Sequence, residues 1–187
     1  MPSQIIKSMS EKIVIKETSK EDLDNILLLW SNGEVMSFVG FPNGLEISIE
    51  KLLEWLPWAI SKPTRCHYSI YYDEIGYCGE TFYNVDHKHG LATLDIKLLP
   101  NARGKGIAEY SLRFAIDQAF HQGNAEKVYV DPHRDNKKAW KLYEKLGFSE
   151  RSRPEFLDKW DTYLELSKDE WLQRKINIKT TFGTNSS

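Results

Sequence analysis

A run of glycine and basic residues, Arg103-Gly104-Lys105-Gly106-Ile107-Ala108, stands between two contrasting patterns in the chain. Residues 91–99 alternate like a strand, and after the run apolar residues recur at helical spacing. A glycine turn at such a junction lets the backbone approach a ligand closely. It also directs unpaired N–H groups and the positive end of the helix dipole toward that ligand. The run therefore predicts a binding site for a phosphorylated cofactor.

Two common phosphate-binding loops do not fit this run. A Walker loop has G-x-x-x-x-G-K followed by Ser or Thr, but Lys105 is followed by Gly106 and no second glycine stands at the required distance. A Rossmann fingerprint has a third glycine at the position that Glu109 occupies. Both readings are excluded.

The run instead matches Q/R-x-x-G-x-G/A, with Arg103, Gly106 and Ala108 at the defined positions. This pattern is that of the acetyl-CoA pyrophosphate loop of the GCN5-related N-acetyltransferases (GNAT). A second block, residues 136–148, resembles the N-x-x-A-x-x-x-Y-x-x-x-G-F segment of the same family at its usual separation. Either block alone could arise by chance, but the two in order are specific. The resemblance extends over about residues 12–166, and its motifs lie in the second half.

The resemblance implies acetyl-CoA as co-substrate and assigns roles to particular residues. Backbone groups of Ile96, Lys97 and Leu98 would hold the pantetheine arm and thioester, and Asn136 would contact pantetheine while also capping a helix. The hydroxyl of Tyr143 would protonate the departing thiolate; the alternative is a core aromatic on the inner face of its helix. The pyrophosphate would lie on Arg103, Gly104, Lys105, Gly106, Ile107 and Ala108.

Two carboxylates are candidates for deprotonating the amine. Asp95 lies mid-strand, on the side opposite Leu94 and Ile96, and burial would raise its pKa toward that of a useful base. Asp131 ends the next strand, where a mixed sheet presents side chains to a central cleft. We expect Asp95 to be the base and Asp131 to anchor the ammonium. The alternatives are that Asp95 faces solvent or pairs with Lys97, and that Asp131 is a turn residue before Pro132.

The segment from Val130 to Asn136 resembles the D-P-x-x-x-N of the aminoglycoside N-acetyltransferase branch, whose polycationic acceptors favour paired carboxylates. The function predicted is acetyl transfer to a primary amine of a small cationic substrate by direct attack in a ternary complex. Neither cysteine has a recognisable nucleophile setting. The alternatives are acetylation of a protein N-terminus or lysine, and, from another class, a non-catalytic acyl-CoA-binding sensor.

Composition and length limit the class of protein and the number of domains. The chain has 187 residues, is 41% hydrophobic and carries a net charge of −2. We expect one acetyltransferase domain over residues 1–179 and a flexible tail over 180–187. Nothing indicates nucleic-acid binding, a metal site, a disulfide framework, a signal peptide or a membrane segment. These features predict a cytoplasmic protein that is a monomer or homodimer.

The helices and strands that position these residues are predicted from hydrophobic periodicity and from the capping and turn residues between them. A capping box at Thr18–Glu21 and a cap at Ser48 each begin a helix, and a third helix ends near Gly123. Strands are predicted at Lys12–Glu17, His67–Tyr72, Tyr77–Val85, Leu91–Leu99, Val128–Val130 and Thr162–Leu166, and further helices at Asn136–Gly147 and Asp169–Gln173. This order predicts an α/β (α+β) fold with a mixed, mostly antiparallel central sheet and helices on both faces.

Overall fold

A computed structural model describes the backbone of residues 12–183 and the side chains of residues 12–177. Within this part of the chain, seven strands form one sheet in the order β1-β2-β3-β4-β5-β7-β6. Neighbours are antiparallel except β4 and β5, which run parallel, so the predicted fold class is confirmed. The strands are β1 (Ile13–Glu17), β2 (Arg65–Tyr72), β3 (Gly76–Asp86), β4 (Leu91–Leu98), β5 (Lys127–Val130), β6 (Ser149–Glu150) and β7 (Leu164–Ser167).

Helices cover both faces of the sheet. They are α1 (Leu23–Trp30), α2 (Gly33–Met36), α3 (Ile49–Ala59), α4 (Ile107–His121), α5 (Lys137–Leu146) and α6 (Lys168–Gly183). Buried side chains of α4, α5 and α6 form one apolar cluster with Tyr83 and Leu94 of the sheet. On the opposite face, Trp30 of α1 donates a hydrogen bond to Glu80 of β3, and the ring of Trp55 in α3 lies 4.9 Å from that of His67 in β2.

Alternation along β4 separates an apolar face from a polar one. Leu94 and Leu98 are buried on the side of α4. Asp95 and Lys97 therefore lie on the face covered by α1 and α3, where Lys97 is the register partner of Glu80. The predicted placement of Asp95, opposite Leu94 and Ile96, agrees with this register.

The first capping box is one residue later than predicted. The backbone N–H of Ser19 donates to Asp22 Oδ2 at 2.8 Å, so Ser19 and Asp22 form the box rather than Thr18 and Glu21. Thr18 is buried, and its hydroxyl lies 2.8 Å from His67 Nδ1. Thr18, the residue predicted as the cap, therefore bonds instead to His67, a long-range partner that the local sequence does not show.

Short elements and the last helix also differ from expectation. The four-residue helix α2 is capped by Asn32, whose side chain accepts from two backbone N–H groups; it is too short for a helical period to reveal. Helix α6 is much longer than the predicted Asp169–Gln173 and passes Thr180, where we expected the tail to begin. Residues 184–187 of that tail lie outside the described residues.

Candidate active site

Strands β4 and β5 separate and leave a cleft between them. They pair only where Leu91–Thr93 lies opposite Lys127–Tyr129. Beyond Thr93 a cleft of about 730 Å³ opens between the end of β4, the end of β5 and the first turns of α5. Sequence-predicted residues that line it are Asp95, Ile96, Lys97, Leu98, Arg103, Asp131, Asn136 and Tyr143.

The glycine loop adjoins this cleft at the start of α4. Gly104 has φ 75° and Gly106 has φ 78°, a region in which an L side chain is strained, so glycine is required at both positions. A Cβ on Gly104 would meet no atom within 4 Å, so the space beside the loop is open. Helix α4 is 15 residues long and begins directly after Gly106, so its first N–H groups and its positive dipole end lie at the loop.

Of the other residues of the run, some face the place expected for a ligand and others are buried in the core. The side chain of Ile107 is buried in the core beneath the loop, so only its backbone N–H is suited to a ligand. Arg103 lines the cleft and is already engaged, since its Nη1 donates to Glu34 Oε1 at 2.7 Å and its Nε donates to the Leu98 carbonyl at 3.2 Å. Gly104–Ala108 lie outside the cleft lining itself.

Tyr143 projects from α5 into the cleft wall. Its ring packs edge to face against Phe148 at 5.7 Å, and the residue is 7% exposed. Burial raises the pKa of Tyr143, and the carboxylates of Asp95 and Asp131 raise it further. The hydroxyl therefore remains protonated at neutral pH, as a proton donor must. Both interpretations of this residue, packing aromatic and cleft-facing hydroxyl, fit the geometry.

Asp131 stands just beyond the end of β5 and faces a cation from a distant segment. Its Oδ2 lies 3.3 Å from Nη1 of Arg153. Burial raises the pKa of Asp131, and the opposing effect of Arg153 does not overcome it. A carboxyl group with a raised pKa in a cleft is a candidate general base.

Asp95 is only half-buried: its side chain is 42% exposed, close to the 39% of Asp131. Oδ1 accepts a hydrogen bond from the backbone N–H of Ile96 at 2.8 Å, and Oδ2 forms a close ion pair with the ammonium of Lys97. The alternative in which Asp95 pairs with Lys97 is therefore the arrangement observed.

A buried charge network continues from Lys97 behind the cleft. The Lys97 ammonium lies 3.2 Å from Glu80 Oε1, and Glu80 also accepts from Trp30 Nε1 at 2.8 Å and faces His67 Nε2 at 3.0 Å. Burial alone raises the pKa of Glu80, but His67 and Lys97 outweigh it, so the pKa lies well below its usual range. Burial alone lowers the pKa of Lys97, but Asp95 and Glu80 outweigh it and raise that pKa. Both groups are therefore charged.

Asn136 is the N-cap of α5, and its Oδ1 accepts from the backbone N–H of Ala139 at 3.2 Å. Because it also lines the cleft, the cap and a ligand contact are compatible, as expected from the sequence. The amide N–H₂ group remains on the other side of the same side chain.

Sequence reasoning missed two participants in the site and one contact. Arg153 lies in a segment without periodicity, and its pairing with Asp131 joins positions that are distant in the chain. The Lys97 side chain was considered as a partner for Asp95, but its second contact, with Glu80, was not foreseen. Phe38, 42% exposed on the cleft rim, lies 5.7 Å ring to ring from His133 and had no local signal beyond being aromatic.

No group of three or more His, Cys, Asp or Glu residues in the described part of the chain is arranged to hold a metal ion. No helix among the described residues is long and apolar enough to cross a membrane.

A family model described as "Acetyltransferase (GNAT) domain" matches residues 12–149. The chain belongs to the GNAT acetyltransferase family. The match covers most of the chain and includes both motif blocks, so the resemblance inferred from the sequence is confirmed at the level of the family.

Known GNAT proteins show how far the likeness extends. The spermidine N(1)-acetyltransferase of Escherichia coli (strain K12) is 37% identical over 65 residues, which cover 35% of this chain and 35% of that protein. The chain thus spans about a third of the length of this relative. An uncharacterized N-acetyltransferase of Bacillus licheniformis is 24% identical over 144 residues, which cover 74% of this chain and 80% of that protein.

Among solved structures, the spermidine N-acetyltransferase of Vibrio cholerae in complex with CoA and spermine superposes with a TM-score of 0.73. The two chains are 23% identical, and the match covers 87% of this chain and 99% of the other. This likeness establishes that the GNAT fold extends over nearly all of the described chain.

Proposed function

We propose that this protein is an acetyl-CoA-dependent N-acetyltransferase that acetylates a primary amine of a small cationic molecule. The observation that carries the proposal is the cleft at the separation of β4 and β5, where Asp95, Asp131 and Tyr143 face one space. Membership of the GNAT family and relatives named as spermidine acetyltransferases support the reaction and the acceptor class.

The residues that would hold acetyl-CoA fit its chemistry. The edge of β4 at Ile96–Leu98 has no paired strand on the cleft side, so the amides of the pantetheine arm would bind backbone groups there. Two of these groups already have partners in the protein, because the Ile96 N–H donates to Asp95 and the Leu98 carbonyl accepts from Arg103. The pyrophosphate would lie at the two positive-φ glycines and the start of α4, with Arg103 and Lys105 supplying charge. When bound, acetyl-CoA supplies an acetyl group activated as a thioester.

The proposed roles follow from the surroundings of each group. Asp131, whose pKa is raised by burial, accepts the proton of the attacking amine. The hydroxyl of Tyr143 donates a proton to the sulfur as the carbon–sulfur bond breaks and the nitrogen–carbon bond forms. Asp95, held by Lys97, orients the ammonium before it is deprotonated. The raised pKa of Asp131 thus moves our assignment of the base from Asp95 to Asp131.

Four further properties remain predictions from the sequence. They are a cytoplasmic location, a monomeric or homodimeric state, a single acetyltransferase domain over residues 1–179, and membership of the aminoglycoside N-acetyltransferase branch. The competing functions are acetylation of a protein N-terminus or lysine and non-catalytic binding of acyl-CoA. No contact in the described residues favours either over a small amine.

An amine panel separates these functions. Purified protein and acetyl-CoA are incubated with monoamines, polyamines, aminoglycosides and N-terminal peptides, and free CoA thiol is followed with time. Turnover with a small amine supports the proposal. Turnover with peptides alone would assign a protein acetyltransferase, and tight acetyl-CoA binding without any turnover would assign a sensor.

A further inference from the structure

We infer that the acceptor carries a single ammonium group joined to an apolar body, such as an arylalkyl monoamine, rather than several ammonium groups. This inference rests on the proposed function and specifies the substrate class of the same cleft. It is drawn from the charges at the inner end of the cleft and the side chains on its rim.

Every inner carboxylate already has a cation of the protein as its partner. Asp131 pairs with Arg153, and Asp95 pairs with Lys97. Glu80, which lies behind Asp95, is 3% exposed and shares the Lys97 ammonium. Three carboxylates thus face two cations, which leaves at most one net negative charge, the complement of one ammonium. His67 Nε2 lies 3.0 Å from Glu80 Oε2, so Glu80 has a further partner within the protein.

Displacing these internal cations to hold a second ammonium is unfavourable. The Lys97 ammonium is nearly buried and is balanced in part by Asp95. An acceptor cation that paired with Asp95 instead would leave the buried charge of Lys97 less well compensated. Lys97 itself lines the cleft and repels a neighbouring cation at short range. The inner cleft therefore opposes a chain of ammonium groups.

The carboxylates at the mouth do not replace the inner ones. Glu34 lines the cleft but is 64% exposed and pairs with Arg103, and Asp135 lines it with a side chain that is 82% exposed. An ion pair so open to water contributes little to affinity. Glu34 therefore provides a weak contact for a second ammonium rather than a desolvated site.

Apolar side chains complete the cleft on the acceptor side. Phe38 and Val39 line it while 42% and 44% exposed, so each presents apolar surface that an acceptor can cover. Phe82 also lines the cleft, and it is the register partner of Asp95 in the neighbouring strand. An aromatic or branched alkyl group placed among these side chains gains apolar burial while its amine lies near Asp95 and Asp131.

The test compares 2-phenylethylamine with spermidine in wild-type protein and in Phe38→Ala. We expect kcat/KM for 2-phenylethylamine to exceed that for spermidine by about tenfold or more, and Phe38→Ala to lower it by about tenfold. Ethylamine, which keeps the ammonium and lacks the ring, should be affected little by Phe38→Ala. Phe41→Ala is the matched control, because Phe41 is 41% exposed but lies outside the cleft lining.

Spermidine turned over as well as or better than 2-phenylethylamine would overturn this inference and leave the proposed acetyltransferase intact. An equal loss for ethylamine and 2-phenylethylamine in Phe38→Ala would also overturn it, because the ring would then have no specific partner. Absence of turnover with every amine would instead overturn the proposed function.

Discussion

Asp131 and Arg153 form an ion pair, with Oδ2 3.3 Å from Nη1, that joins the end of β5 to the segment before β7. Arg153 also donates to the carbonyls of Asp158 and Thr162, at 2.6 and 3.2 Å, so its guanidinium is fixed by several contacts. Burial nevertheless keeps the pKa of Asp131 raised. The cation therefore orients the carboxylate without abolishing its ability to take a proton.

Asp131→Asn should lower kcat by about 10²-fold and remove the acidic limb of the pH–rate profile, since a general base is lost. The sign follows from the raised pKa of Asp131: the carboxylate is protonated at low pH, and the rate rises as the pH passes through that pKa. Asp95→Asn should mainly raise the KM of the amine. Steady-state kinetics from pH 5 to about 9 measure both effects.

Arg153→Met supplies the complementary change. Because the guanidinium lowers the pKa of Asp131, its removal should move the acidic limb to higher pH. If the acidic limb of the pH–rate profile disappears in Asp95→Asn and does not move in Arg153→Met, the general base is Asp95 rather than Asp131.

Tyr143→Phe should lower kcat by about 10²-fold while acetyl-CoA affinity changes little. The substitution keeps the ring against Phe148 and removes only the hydroxyl, so thermal stability should be nearly unchanged. Because the pKa of Tyr143 is raised, its ionisation should not produce a basic limb near neutral pH. A variant with the wild-type kcat would assign Tyr143 to packing alone.

Gly106→Val should weaken acetyl-CoA binding about tenfold or more, which is about 1.4 kcal/mol, as measured by calorimetry. A side chain there would lie beside the expected pyrophosphate, and the φ of 78° would be strained by roughly 1–3 kcal/mol. Gly76→Val controls for the strain, because Gly76 has φ 84° with open space around it and lies at the β2–β3 turn. Equal affinity losses in the two variants would remove the loop from the binding site.

Lys97→Met should reduce the free energy of unfolding by about 3–5 kcal/mol at neutral pH, because Glu80 would be left buried without its ammonium. Denaturant titration measures the loss, and Lys97→Met combined with Glu80→Gln should recover much of it. The control Lys51→Met removes a wholly surface pair with Glu54 and should cost about 0–1 kcal/mol.

The same network predicts the pH dependence of stability. The folded pKa of Glu80 lies below its ordinary value of 4.5, so its contribution is present above that value and is lost as the pH falls toward the folded pKa. Lys97→Met should flatten this acid-side decline. A wild-type protein whose stability is constant between neutral pH and about pH 3 would contradict the charged state of Glu80.

Local patterns predicted the elements that carry the site, whereas long-range pairings could not be read from them. The β4–loop–α4 unit and α5 follow from a change of period at glycines. The pairing of Asp131 with Arg153 and the contact of Thr18 with His67 were not predictable, because each joins residues distant in sequence. The exposure of Asp95 was left open for the same reason: strand alternation defines a face, but not where that face opens into a cleft.

Mass analysis of the products tests the central claim most directly. Protein is incubated with acetyl-CoA carrying a ¹³C-labelled acetyl group and with 2-phenylethylamine, spermidine or ethylamine. The masses of the amines, free CoA and intact protein are then measured by mass spectrometry. We predict label on an amine nitrogen in equal amount to the CoA released, unlabelled protein, and a rate that falls in both Tyr143→Phe and Asp131→Asn. Label retained on the protein would contradict direct transfer, and no labelled amine with any acceptor would contradict an amine acetyltransferase in this cleft.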